Sequence, residues 1–496
     1  MGKNNFSNDT HYFRKKVDSQ NGYALTFDDI ICVPGFTNFD PVDIDIQTMI
    51  GPFSFKIPIF SAAMDTVTET EMAIQMALLG GLGVIHRNCP YEKQLMMVKK
   101  VKRARSFIVR EVATVHPKDT DVQVKQKMDQ FGVSGLVVLD DDDRVIGIVT
   151  ARDLPYDQNQ KYRVEEIMTK NPICSMDGIS REEAQQKLYE IRKEKLPLVN
   201  DQNQLVGLIT RKDLRPEFPD ASKDKEGRLL CGLGISPNLP KNPFDLETFK
   251  KIDELCDIFF TDVADVYKSN DLTGIKEIMD ITQTPIVLGN IGTFEAAERI
   301  LTKFDFPEDK LIGLKVGMGS GSICITTIQT GIGAPTLFAT AEVADAIQMY
   351  NPKIALISDG GFINSGDLTK AFAAGADVTM SGHFFAGCTE SPGYIDTIGG
   401  RKVKVYRGMG SKEARSTGPY AFDRYANVKK LAEGVSDYVP FVGSVKGVLD
   451  QLCEGLKNGL VYGGARTIQE AKQIVIRKIT HAGKIESSAH DLLSRK

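Results

Sequence analysis

The run LKVGMGSGSICITTIQTGIGAP, residues 314–335, decides how this chain is read. Leu314-Lys315-Val316-Gly317 reads as the end of a short buried strand. Gly317, Gly319 and Gly321 follow at alternate positions, where a β carbon would block a left-handed turn or close backbone approach. Ser322, Cys324 and Thr326 come within the next five residues, with Gly331 and Gly333 beyond them. A strand opening into a glycine-rich loop with one thiol and several hydroxyls suits an anionic ligand beside a nucleophile. A tight turn around an inert core cysteine has the same composition. The surrounding pattern has to separate the two.

Outward from the loop, the same form recurs. GRLLCGLGIS, DIFFTDVAD, TPIVLGNIG, IGLKVGMGSG, IALISDGGF and DVTMSGHF are apolar runs ending in small or polar residues, with helical segments between them. Two earlier runs, in KIPIFSAAMDTVTE and GGLGVIHRN, behave alike. Strand-helix alternation in eight units predicts an α/β fold, a closed TIM-type (β/α)8 barrel with catalytic groups at the C-terminal strand ends. A doubly wound open sheet is the alternative, but no GxGxxG follows an early strand and the strand count suits closure.

Between the second and third runs the pattern changes. Residues 145–154, VIGIVTARDL, match residues 205–214, LVGLITRKDL, an internal repeat of about 60 residues and too few copies for a solenoid. Each copy reads helix, strand, polar turn, strand, helix, with Asp140–Asp143 and Asn200–Asn203 as the hairpin turns. The expected divisions are 1–106 and 226–496 for the barrel, and 107–165 and 166–225 for the two copies. Thr150, Asp153, Thr210 and Asp213 suit either ribose contacts or caps of the following helices.

Composition sets the outer bounds. The 496 residues carry 42% hydrophobic and 25% charged side chains, ordinary for a globular protein of more than one domain. A net charge of −4 argues against nucleic acid as a partner. The eight cysteines form no CxxC pair, which removes the usual zinc and dithiol motifs and fits a reducing compartment. The start, MGKNNFSNDTHYFRKK, lacks the apolar core of a signal peptide, and Phe6 stands where a myristoylation motif wants Ser or Thr. No long uncharged apolar run is present to span a bilayer. A cytoplasmic protein without a membrane partner is the expectation.

GSGSICIT, SDGG and VYRGMGS, with the paired repeat, resemble the inosine monophosphate (IMP) dehydrogenase family, of which GMP reductases are a close variant. The resemblance runs over nearly the whole chain. It implies that Cys324 attacks the purine, that hydride leaves to NAD, and that Thr326 with Arg424 and Tyr425 on a mobile flap activates water to hydrolyse the adduct. Ser322, Asp359, Gly360, Gly361, Gly382, His383 and Tyr406 would hold the nucleotide, and Met409, Gly410 and Glu433 the hypoxanthine edge. Loops after the last two strands of such barrels favour phosphate on backbone N–H groups, although plain tight turns look alike. Asp359 beside two glycines suits two ribose hydroxyls. Asp262, Asn290, Gly317 and Gly319 would face the cofactor.

The resemblance also implies potassium on the carbonyls of Gly319, Gly321 and Cys324. A neighbouring subunit would add Glu486, Ser487 and Ser488, where the family usually has E-G-G. The repeat resembles a tandem CBS module, a fold that binds adenine or guanine nucleotides, and such enzymes form homotetramers that pair into octamers. The Arg-Tyr pair points to a dehydrogenase, since a reductase releases ammonia and has no water to activate. TDVADVY, residues 261–267, points the other way by resembling the D-V-A-N-G-Y of reductases. The expected activity is NAD-dependent oxidation of IMP to xanthosine monophosphate. The alternatives are an NADPH-dependent GMP reductase with the same insert, or a catalytically idle purine-nucleotide sensor. Retention of Cys324, Thr326 and the Arg-Tyr pair together argues against the sensor.

Overall fold

The computed structural model describes residues 11–104, 108–109, 112–155, 162–211, 214, 218–416 and 431–489. Eight strands pair in parallel and close on themselves: β1 (Ile59–Ser61), β2 (Leu82–Ile85), β3 (Gly232–Ile235), β4 (Ile258–Thr261), β5 (Ile286–Ile291), β6 (Leu311–Val316), β7 (Ala355–Asp359) and β8 (Val378–Ser381). Closure comes through β8 and β1, with Thr379 opposite Ile59 and Ser381 opposite Ser61. The following helices are α1 (Thr70–Leu78), α2 (Tyr91–Arg103), α3 (Pro243–Asp253), α4 (Ser269–Ile281), α5 (Phe294–Lys303), α6 (Thr336–Tyr350), α7 (Ser365–Ala373) and α8 (Val445–Gly463). The expected barrel is present, and the eight apolar runs are its strands.

The sequence explains why each strand reads as a continuous apolar run. Helices cover the outer face and side chains fill the inside, so both faces of a strand are buried. Phe60, Leu82, Val84, Phe260, Val287, Ile357, Val378 and Met380 belong to one internal cluster. A hairpin, Thr48–Ile50 with Phe53–Phe55, adds the fully buried Ile50 and Phe55 to it. The Phe55 ring meets the Phe60 ring edge-on at 4.8 Å. This hairpin stoppers the N-terminal end of the barrel, leaving the polar C-terminal ends as the open mouth. Local caps start the helices there: Thr293 accepts from the Ala296 N–H at 3.2 Å, and Asn364 forms a capping box with Asp367.

Glu69 precedes α1 at the rim of this mouth. His86 Nδ1 accepts the Asn88 N–H at 3.0 Å, so its Nε2 carries the proton and donates to Glu69 at 3.2 Å. The hydrogen bond from His86, assisted by Lys93 at 2.6 Å, holds the Glu69 carboxyl down at about 2 against a partial burial that pushes it up. A carboxyl depressed on folding stabilises above its unfolded value, 4.5, and that contribution is lost as pH falls toward about 2. Glu69→Gln should therefore flatten the acid limb of stability between these limits, by on the order of 1–2 kcal/mol after solvent screening. Urea midpoints measured from pH 5 to pH 2 check this. An unchanged acid limb would remove the assigned ionisation.

Residues 103–219 and 225–228 form a second compact unit between β2 and β3 in the chain. Asp220–Asp224 and, among the described residues, those from Leu229 onward group with the barrel. Charge pairing holds this short return segment. Lys102, 4% exposed at the end of α2, places its ammonium 3.0 Å from Asp224 and 2.6 Å from Asp257. Asp257 also accepts the Cys231 N–H at 2.7 Å. A buried ammonium requires such partners, and here they tie the departing and returning segments together.

Inside the second unit, one sheet is formed by Thr114–Val115, Gly135–Leu139, Val145–Thr150 and Thr169–Lys170, another by Ser175–Met176, Lys195–Val199 and Leu205–Thr210. The copies exchange their leading segments. Val109 bonds both ways with Leu208 of the second copy, and Thr169 pairs with Ile148 of the first. Each sheet therefore takes a segment from the other copy. The turns also meet, Val145 N–H donating to Asn203 and Leu205 N–H to Asp143, over a shared core of Val137, Leu139, Val145, Val199 and Leu208. Asp153 accepts from the Thr150 N–H and hydroxyl at 2.8 and 2.7 Å, a local turn. Asp213 lies outside the described residues.

Candidate active site

One cavity at the open end of the barrel collects nearly all the site residues read from the sequence. Cys324, Thr326, Ser322, Asp359, Gly360, Gly361, Gly382, His383, Tyr406, Met409, Gly410 and Glu433 line it, together with Asp262, Asn290, Gly317, Gly319 and Gly321. Arg424 and Tyr425 lie outside the described residues. Their segment is carried by two antiparallel legs, Arg401–Arg407 and Ser436–Pro440, with Arg407 opposite Ser436. Glu486, Ser487 and Ser488 close a short helix, His481–Glu486, and do not line this chain's cavity.

Cys324 is half-buried and faces the cavity, not sealed in the core. Its Sγ lies 3.2 Å from Thr326 Oγ1, and that hydroxyl donates to Glu433 Oε2 at 3.1 Å. Because the threonine proton points to the carboxylate, the thiol is the donor in the first contact. The result is a line from sulfur through hydroxyl to a buried acid. Backbone pairing builds it: Ile325 N–H donates to the Glu433 carbonyl and Val435 N–H to the Ile323 carbonyl, both at 3.0 Å. The catalytic loop and a segment more than a hundred residues later are thus zipped together.

The glycines have specific work. A β carbon on Gly317 would sit 2.2 Å from the Asp359 carbonyl oxygen, and the residue has φ 129°. A β carbon on Gly319, φ 83°, would fall 2.0 Å from the Thr327 hydroxyl. Gly360 N–H is engaged by the Met380 carbonyl at 3.0 Å. Among the described residues the N–H groups of Gly361 and Gly382 have no protein acceptor and remain for an anion. Tyr406 is buried, which pushes its hydroxyl above the usual phenol range although Ser322 bonds to it, so it stays a donor. Burial likewise lowers His383, keeping it neutral near pH 7.

Sequence reading missed two cations. Lys315, inside β6, donates to Asp359 Oδ2 at 2.6 Å and also to Asn290. The signal was a lone lysine in an otherwise apolar strand. Arg87 donates twice to the Asp262 carbonyl, at 3.1 and 2.9 Å, and approaches its carboxylate at 3.7 Å. Its place just past the second apolar run was the available clue. Glu390 accepts the Val445 N–H at 2.9 Å and thereby caps α8.

A family model described as IMP dehydrogenase / GMP reductase domain matches residues 24–490. The chain belongs to the IMP dehydrogenase/GMP reductase family. Within the family it is 44% identical over 474 residues to the inosine-5'-monophosphate dehydrogenase of Korarchaeum cryptofilum, covering 95% of this chain and 97% of that protein. It is 40% identical over 501 residues to that of Methanocaldococcus jannaschii, covering 97% of each. Among solved structures it resembles a cysteine-to-alanine variant of the Trypanosoma brucei GMP reductase bound to guanosine 5'-monophosphate. The TM-score is 0.84 and the identity 31%, over 95% of this chain and 98% of that one.

Among the described residues no cluster of three or more His, Cys, Asp or Glu side chains suits a metal ion. Carbonyls remain as cation donors. Gly319 is left-handed with no room for a β carbon, and the Gly321 carbonyl accepts the Cys324 N–H at 2.9 Å, so the turn around the sulfur is closed on its own backbone. No helix among the described residues is long and apolar enough to cross a membrane.

Proposed function

We propose that the protein oxidises IMP to xanthosine monophosphate with NAD through a covalent adduct on Cys324. The observation that carries this is the hydrogen-bonded line from Cys324 through Thr326 to Glu433, beside N–H groups that remain for a phosphate. Gly361, Gly382 and the Ser322–Tyr406 pair hold the phosphate, and Asp359 takes the ribose hydroxyls. The thiol proton passes through Thr326 toward Glu433, and the sulfur forms a bond to purine C2. NAD, bound on the Asp262 and Asn290 side, would supply the acceptor for the hydride that leaves C2. Water then adds to C2 and the thiolate departs, so the sum is IMP, NAD⁺ and water giving xanthosine monophosphate, NADH and a proton. Arg424 with Tyr425 takes the proton of that water. Arg87 fixes the Asp262 backbone on the cofactor side.

Carbonyls of Gly319, Gly321 and Cys324 hold potassium when it is bound, which would stiffen the loop around the sulfur. Glu486, Ser487 and Ser488 of a second copy would complete that shell. This implies a homotetramer, which pairs into octamers through the repeat. The repeat acts as a CBS module taking purine-nucleotide effectors. The cytoplasm suits eight unbridged cysteines.

A GMP reductase is the second reading. It is favoured by the Asp262-Val263-Ala264 sequence and by the likeness to a reductase that matches this chain nearly end to end. Purified protein supplied with IMP and NAD, or with GMP and NADPH, separates the two by absorbance of the reduced cofactor. Turnover is expected in the first mixture. Turnover in the second alone would reverse the assignment, and nucleotide binding without turnover in either would leave a sensor.

A further inference from the structure

Lys315 is the only charged residue of β6, and its side chain is 6% exposed. Its ammonium joins two neighbouring strands, donating to Asp359 Oδ2 at the end of β7 and to Asn290 Oδ1 in β5. An ammonium only donates, so the Asn290 amide must turn its oxygen to Lys315. Its NH₂ then faces the Gly317 carbonyl, at 2.5 Å. Gly317 in turn packs against the Asp359 backbone so closely that no β carbon fits. The four residues make a ring: carboxylate, ammonium, amide and the first peptide of the Cys324 loop.

From this ring we infer that Lys315 is a positioning residue that couples recognition of the ribose hydroxyls at Asp359 to the placement of the nucleophile's loop. The inference rests on the reading of Asp359 as the sugar ligand. A carboxylate held on one oxygen has a fixed plane, and Asp359 Oδ1 has no hydrogen-bond partner among the described residues. That leaves it to accept from the sugar. Without the ammonium the carboxylate can rotate away, and Asn290 loses the contact that fixes its amide. The loop's first carbonyl is then no longer held at its distance from the sulfur's turn. Neither Asp359 nor Asn290 needs to change for both functions to fail together.

Binding of IMP and of 2'-deoxy-IMP by calorimetry, on the unsubstituted protein and on Lys315→Met, tests this without relying on turnover. The unsubstituted protein should prefer IMP. Lys315→Met should weaken IMP binding about 10- to 100-fold, the range for one charge-assisted hydrogen bond. It should weaken 2'-deoxy-IMP far less, so the preference collapses and the two losses are not additive. Lys315→Arg, which keeps the cation, should retain most of the preference and serves if the Met variant does not fold. A Met variant that keeps the full preference overturns the coupling, as does an Arg variant that folds and loses it. If the unsubstituted protein itself ignores the 2'-hydroxyl, the sugar reading of Asp359 falls, and this inference with it. Failure of IMP oxidation with the preference intact would instead count only against the proposed reaction.

Discussion

Cys324→Ala is expected to abolish turnover of IMP with NAD, by on the order of 10⁴-fold or more, while leaving nucleotide binding within a few-fold. The substitution removes one sulfur from a half-buried position at the barrel mouth. It does not touch the Gly361 and Gly382 N–H groups, Tyr406 or the Lys315–Asp359 pair that carry the affinity. Nor does it break the backbone zipper, since Ile325 and Val435 donate through main chain. The melting temperature should therefore move little. Reduced cofactor followed by absorbance, with calorimetric titration of IMP, gives both halves of the prediction. Residual turnover within a factor of ten of the parent would mean that no covalent bond forms at this sulfur. Loss of IMP affinity in parallel would mean that the thiol serves binding.

The parts of this architecture that repeat were legible in the sequence. Each barrel strand is an apolar run with a polar end because burial on both faces and an exposed mouth are imposed at every strand alike. The catalytic loop was legible because its glycines answer to local geometry: Gly317 and Gly319 have φ of 129° and 83°, where L side chains are strained. What could not be read depends on which strands become neighbours. Lys315 meets Asp359 and Asn290 only after β5, β6 and β7 pair, and Glu433 reaches Thr326 only through the late backbone zipper. The Lys102–Asp224–Asp257 cluster could not be read for a similar reason, since it is set by where a chain returns. The exchange of leading segments between the copies leaves no local trace, because Val109 and Thr169 would look the same paired within their own copy.

Arg424→Gln should separate the two halves of the reaction. Adduct formation and hydride departure need a proton taken from the thiol, and the Cys324–Thr326–Glu433 line provides for that without the flap. Hydrolysis needs a second proton acceptor, for water. Removing a general base costs about 10²- to 10⁴-fold, so the variant should release a burst of reduced cofactor equal to the enzyme present and then turn over slowly. Slow turnover, not none, is expected because the Thr326 hydroxyl adjoins both the sulfur and the Glu433 carboxylate and offers water a poorer route. Adding Glu433→Gln should remove that remainder and also slow the burst, since the thiol loses its acceptor. Rapid-mixing absorbance resolves the phases. A burst and a steady state reduced together in Arg424→Gln would place Arg424 before hydride transfer. A double variant no slower than the single one would take Glu433 out of the proton path.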